Sequence, residues 1–137
     1  MKQRKAVVLF SGGVDSTVCL HWARRNFDEA IPIQFRVGES GFEQDLAVFN
    51  WDGDETNRQA LFLTIAHAYA QKIGASALVI GTNKVDRLKY SDSTESFIVS
   101  MQQVLCLGSE SSVHIYAPLI DLDKGEIFKL ADDLGCL

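Results

Sequence analysis

The feature that most constrains this chain is an apolar run halted by two glycines and followed at once by helical spacing. Lys5 to Phe10 reads KAVVLF and stops at Ser11-Gly12-Gly13. So short and β-branched a run predicts a buried strand. From Asp15 to Asn26, apolar Val18, Cys19, Trp22 and Ala23 recur at helical spacing. Ala30 to Phe35 predicts a second strand, with Pro32 near its start. Strand, helix and strand in that order form a βαβ unit, which favours a parallel sheet.

The rest of the chain repeats the alternation. A helix is predicted from Asn57 to Ile73, with Leu61, Ile65, Ala68 and Tyr69 on one face and Gly74 as its stop. Ala77 to Ile80 is a buried strand, Ser93 to Leu107 an amphipathic helix ended by Gly108, Val113 to Tyr116 a strand, and Asp123 to Leu134 the last helix. The expected fold class is α/β with a doubly wound parallel sheet. Arg36 to Glu55 breaks the pattern, with Gly38, Gly41 and Gly53 and an acidic end. It reads as a loop with a short strand at Leu46 to Phe49, and so long a loop marks either a functional segment or a missing one.

Length and composition set the limits. The 137 residues suit one domain, 1–137, and 47% apolar content supports a core. The net charge of −5 opposes general nucleic-acid binding, yet leaves room for a local phosphate site built from backbone N–H groups. The basic start, Met1-Lys2-Gln3-Arg4-Lys5, leads into an apolar stretch too short for a signal peptide, and no run approaches a membrane span. A cytoplasmic protein is expected. Cys19, Cys106 and Cys136 are scattered and form no CxxC pair, so a disulfide framework or four-cysteine zinc site is not expected; Cys19 and Cys106 read as buried thiols. The apolar finish Leu134-Gly135-Cys136-Leu137 reads as an incomplete C-terminus.

The chemistry lies in Phe10-Ser11-Gly12-Gly13-Val14-Asp15-Ser16-Thr17. This loop joins the first strand to the first helix, at the carboxyl edge where open α/β sheets bind ligands. Paired glycines admit close approach and positive φ, successive N–H groups form an anion nest, and the helix dipole adds positive potential. Ser11, Ser16 and Thr17 offer hydroxyl donors. A carboxylate beside phosphates is repulsive unless a cation intervenes, so Asp15 implies Mg²⁺. The plainer alternative is an N-cap in an ordinary turn. No Gly-Lys-Ser/Thr follows, so the loop is not a Walker A sequence, and it is not GxGxxG.

SGGVDS resembles the loop of the PP-loop ATP pyrophosphatases, enzymes of the adenine nucleotide alpha hydrolase-like (HUP) fold that adenylate an oxygen and release pyrophosphate. Further segments resemble one member family, the 7-cyano-7-deazaguanine synthases (QueC/ExsB). They are Lys5 to Leu20; Arg58 with Phe62-Leu63; Gly81, Asn83, Asp86, Tyr90, Asp92 and Phe97; and Pro118-Leu119-Ile120 with Lys124 and Glu126-Ile127. The resemblance leaves out Arg36 to Glu55, where the family's QRH-containing segment is missing, and the chain stops before the family's zinc-binding cysteines. Tyr90-Ser91-Asp92-Ser93-Thr94 replaces YPDCR, and Thr56-Asn57-Arg58-Gln59 replaces PGRN.

The resemblance implies a ligase that turns 7-carboxy-7-deazaguanine into the nitrile with ammonia and ATP. It implies phosphate contacts from Phe10 to Thr17 and Mg²⁺ at Asp15. Ser11, Asp15, Ser16 and Lys124 would serve catalysis, while Arg58, Asp86, Tyr90 and Asp92 would border the substrate. Plainer readings stand beside these: Asp86 as a turn carboxylate, Asp92 as a cap for the helix from Ser93, and Lys124 as a solvated lysine. Two other functions stay open: an ATP-dependent enzyme that activates a different carboxylate or modifies a macromolecule, and a non-catalytic nucleotide-binding subunit. No stoichiometric zinc is expected on this chain. An apolar edge at Ile31 to Phe35 leads to the expectation of a homodimer or larger assembly.

Overall fold

The structure, a computed structural model, describes residues 4–35 and 58–136. The expectations for Arg36 to Glu55 lie outside those residues. Strands β1 (Lys5–Leu9), β2 (Glu29–Ile33), β3 (Ala77–Val79) and β4 (His114–Tyr116) form one sheet. Its order is β2-β1-β3-β4, and every pair is parallel. The helices are α1 (Val14–Asn26), α2 (Arg58–Lys72), α3 (Lys84–Lys89), α4 (Glu95–Ser109) and α5 (Lys124–Asp133), with a 3₁₀ turn at Ser91–Ser93.

Strand alternation divides the core between two layers. Ala6 and Val8 of β1, with Ala77 and Val79 of β3, pack against Val18, Cys19 and Ala23 of α1 and Ile127 and Ala131 of α5. Val7, Leu78 and Ile115 turn to the opposite face, against Leu63, Ala66 and Ala70 of α2 and Ile98 of α4. Helices therefore cover both faces, as a doubly wound sheet requires, and strands buried on both sides read as continuous apolar runs. Each fully buried Val or Leu contributes about 1.5–3 kcal/mol through removal from water. β1 crosses over to β2 on one side, whereas β3 crosses over to β4 on the other. The chain thus diverges at the carboxyl ends of β1 and β3, and a crevice opens there.

Several expectations need correction. The apolar face read at Leu61, Ile65, Ala68 and Tyr69 is not the one α2 buries. Leu63, Ala66, His67 and Ala70 face the sheet, while Ile65 and Tyr69 are 46% and 38% exposed. α2 is apolar around most of its circumference, so spacing alone matched two stripes, and the one rich in small side chains packs closest. α4 starts at Glu95, because Thr94 accepts the Phe97 N–H, and it passes through Gly108. Its left-handed stop falls on Glu110, at φ 55°. α3 is absent from the sequence reading because six residues are too few to show a period. Cys106 is half-buried, whereas Cys19 is buried, and burial followed by the nearby Asp15 charge pushes its thiol up to about 12. At the β2 edge, Ile33 turns its carbonyl to the Phe10 N–H. Pro32 therefore faces outward, where it has no N–H to offer a further strand. Among the described residues no helix is long and apolar enough to cross a membrane.

His67 gives the fold a pH dependence. It is 3% exposed, its Nε2 lies 2.8 Å from the Ser111 hydroxyl, and burial lowers its pKa. The folded state then binds fewer protons than the unfolded chain, so this contribution is intact above the ordinary value of 6.5 and is lost as pH falls below it. The urea midpoint should drop between pH 7.5 and pH 5.5, and drop less in His67→Gln. Equal slopes in the two proteins would remove His67 from the account.

Candidate active site

The crevice is a cleft of about 400 Å³. One wall is the β1–α1 loop, with Phe10, Ser11, Asp15 and Ser16; another is the start of α2, with Arg58, Gln59 and Phe62. Gly81, Thr82 and Asp86 follow β3, and Tyr90, Asp92 and Ser93 close the far side. Eight of the residues expected at the site therefore share one cleft: Phe10, Ser11, Asp15, Ser16, Arg58, Asp86, Tyr90 and Asp92. Gly12 and Gly13 of the loop, and Val14 and Thr17 in the first turn of α1, are not among the lining residues. Lys124 is exposed at the first turn of α5 and is not among the lining residues.

The loop has the shape of an anion nest. Gly12 sits at φ +90°, a conformation that favours glycine. The N–H groups of Ser11 and Gly12 converge on one oxygen, the Ser16 hydroxyl, at 3.1 and 3.2 Å. That hydroxyl donates onward to the Gly13 carbonyl at 3.2 Å, and the Thr17 hydroxyl donates to the same carbonyl at 2.8 Å. These two hydroxyls thus brace the loop, and Ser16 also lines the cleft. The N-cap of α1 is Gly13, and no side chain caps it. The plainer reading of Asp15 or a serine as an N-cap therefore fails. The leading N–H groups of α1 have no partner within the helix and keep the positive end of its dipole open.

The carboxylates are individually held. Asp15 Oδ2 accepts from Asn83 Nδ2 at 2.7 Å. Asp86 closes a capping box at α3: its N–H donates to Asn83 Oδ1 at 2.9 Å, and its Oδ2 accepts the Asn83 N–H at 3.2 Å. It is a turn carboxylate and a cleft residue at once. Asp92 does not cap the helix beginning after it, since Thr94 does; instead it accepts the Gln59 N–H at 3.1 Å, at the start of α2. A carboxylate is well placed there against the helix dipole.

Among the described residues, three carboxylates and one cation, Arg58, line the cleft. A polyphosphate entering it needs added positive charge. Among the described residues no group of three or more His, Cys, Asp or Glu side chains is arranged to hold a metal ion. Mg²⁺ asks for less, since it binds through one or two carboxylates together with substrate phosphates and water. Asp15, half-buried beside the nest, fits that donor set.

Other cleft residues escaped the sequence reading. Phe35 and Phe62 stack at 4.6 Å between centroids and 12° between planes, giving an apolar wall. Gln59 Nε2 donates to Thr82 Oγ1 at 3.1 Å, tying α2 to the end of β3. Phe62 was singled out only as part of a family string, and the Gln59–Thr82 contact has no signal in sequence spacing. Asn83 was quotable as the start of an Asn-x-x-Asp capping pattern.

Known proteins share these segments. The profile of the family described as queuosine biosynthesis protein QueC matches residues 5–50 and 56–137. It takes in residues 36–50, which the motif-by-motif resemblance left out. The 7-cyano-7-deazaguanine synthase of Helicobacter pylori (strain HPAG1) is 31% identical over 180 aligned positions, spanning 100% of this chain and 79% of that one. The synthase of the same name from Wolinella succinogenes is 32% identical, over 96% of this chain and 75% of its own. That from Bacteroides fragilis is 32% identical, over 98% and 80%. Since 180 positions exceed the 137 residues here, the Helicobacter pylori protein has positions inside the matched region with no counterpart in this chain.

Proposed function

The chain belongs to the QueC family of queuosine biosynthesis proteins, and from that premise we propose that it is an ATP-dependent 7-cyano-7-deazaguanine synthase. The observation that carries the reading is the convergence of the SGGVDS nest, Asp15 and Arg58 on one cleft at the β1/β3 divergence. Family membership supports a small-molecule carboxylate, ammonia and ATP as reactants.

A carboxylate is a poor electrophile because its leaving group would be oxide. The substrate carboxylate oxygen attacks the α-phosphorus of ATP and pyrophosphate leaves; ammonia then attacks the activated carbon and expels AMP, giving the primary amide. Adenylation of the amide oxygen by a second ATP, again with loss of pyrophosphate, lets that oxygen leave as AMP while the nitrogen loses its two protons, which gives the nitrile. The nest and the open N-terminus of α1 stabilise charge developing on the departing pyrophosphate. Asp15 would hold Mg²⁺, which neutralises phosphate charge when bound. Ser11 borders the phosphates, and Ile33 with the Phe35–Phe62 wall suits the adenine at the ends of the first two strands. Arg58 attracts the substrate carboxylate, with Asp86, Tyr90 and Asp92 around the deazaguanine edge. No covalent nucleophile is needed. Lys124, exposed at the start of α5, would meet a phosphate only with its flexible side chain.

An assembly of two or more copies accompanies this reading. Its support is the exposed apolar Ile65 and Tyr69 of α2 and Val99 and Leu107 of α4, on one side of the sheet, more than the β2 edge that Pro32 blunts.

ATP–pyrophosphate exchange separates the readings. The synthase requires exchange stimulated by 7-carboxy-7-deazaguanine. Exchange driven only by another carboxylate would move the chain to a different substrate, and no exchange with any carboxylate would leave a non-catalytic subunit.

A further inference from the structure

We propose that Asn83 is a positioning residue that fixes the Asp15 carboxylate for Mg²⁺-dependent nucleotide binding; the inference rests on the reading of Asp15 given above. The side chain of Asn83 has two ends with two tasks. Its Oδ1 accepts the Asp86 N–H at 2.9 Å, which starts α3. An amide committed that way must present Nδ2 on its other side, so the capping bond fixes the orientation of the whole group. Nδ2 then donates to Asp15 Oδ2 at 2.7 Å, a short contact for an N–H donor, as expected of a charged acceptor.

The contact spans 68 positions in sequence and joins the two loops that diverge at the crevice. Gly81, two residues earlier, brings the β3 end against the Asp15 backbone: a Cβ built on it would lie 3.4 Å from the Asp15 carbonyl carbon. The β3–α3 turn is therefore seated on Asp15 by backbone proximity and locked there by one side-chain bond. One carboxylate oxygen is held by the protein. The Asp15 carboxylate makes no other hydrogen bond among the described residues, so its second oxygen remains for a cation. Partners of this kind, one bond behind a metal-binding carboxylate, typically account for about 10–100-fold in metal affinity.

The cap and the clamp separate by substitution. In Asn83→Ser the hydroxyl still caps α3, because serine ranks with asparagine at that position, but it carries no amide donor directed at Asp15. Asn83→Ala loses both. Calorimetric titration of ATP into the full chain, with Mg²⁺ and again with EDTA, reads the effect without turnover. The expected result is that Asn83→Ser melts like the parent and binds ATP equally in EDTA, while the gain in affinity on adding Mg²⁺ falls about tenfold or more. Asn83→Ala should show the same loss and also melt lower. If Asn83→Ser keeps the full Mg²⁺ gain while Asp15→Asn loses it, the positioning role is overturned and Asp15 stands. If Asp15→Asn also keeps the full gain, the reading of Asp15 itself fails, and the role of Asn83 with it.

Discussion

Asp15→Asn should lower kcat/KM for ATP by about 10²–10³-fold, the usual loss when one preorganised group that meets transition-state charge is removed. Asparagine is nearly the same shape. Its amide oxygen can still accept from Asn83 Nδ2, so the 2.7 Å bond that seats the β3–α3 turn has a replacement. Asp15 itself caps nothing, because Gly13 is the N-cap of α1 and has no side-chain bond. The variant should therefore melt within about 1 kcal/mol of the parent, as for a surface change away from the core. Steady-state turnover at saturating Mg²⁺, with a thermal melt beside it, checks both halves. Turnover within threefold of the parent would remove Asp15 from the chemistry.

Arg58→Gln should be nearly as damaging. Arg58 is the one cation among the described lining residues, against Asp15, Asp86 and Asp92. It stands at the first position of α2, where the helix dipole disfavours a positive charge. In the proposed role its guanidinium would bind the substrate carboxylate or a phosphate through paired N–H donors, worth about 2–5 kcal/mol when desolvated, so about 10²-fold should be lost from kcat/KM for the carboxylate. Arg58→Lys should recover little, because a single ammonium does not reproduce the fork. The comparison of Gln and Lys at this position matters because a general electrostatic effect would be restored by lysine. Full recovery in Arg58→Lys would reduce Arg58 to a charge without geometry.

Much of this was legible before the fold. KAVVLF followed by SGGVDS fixes a strand, a turn and a helix by local rules alone, and the structure keeps all three within a residue or two. The alternation of strands and helices implies a parallel sheet, and a loop after β1 then lies at the binding edge. What escaped was set by tertiary contact. The face of α2 was misread because Leu61 and Ile65 are as apolar as Leu63, and only the close fit of Ala66 and Ala70 to the sheet decides between them. The plainer reading of Asp92 as a local cap fails because its partner, the Gln59 N–H, is 33 positions away in sequence. The bonds from the Ser16 and Thr17 hydroxyls to the Gly13 carbonyl, which brace the loop, have no signal in the residue types alone.

In the proposed function this cleft converts a deazaguanine carboxylate to the nitrile. The direct measurement is mass spectrometry of the products after the full chain is incubated with 7-carboxy-7-deazaguanine, ammonia, ATP and Mg²⁺. The account predicts 7-cyano-7-deazaguanine that depends on ATP and on ammonia and that vanishes in Asp15→Asn. Folded protein that binds Mg²⁺ and ATP yet leaves the carboxylate unchanged would contradict it.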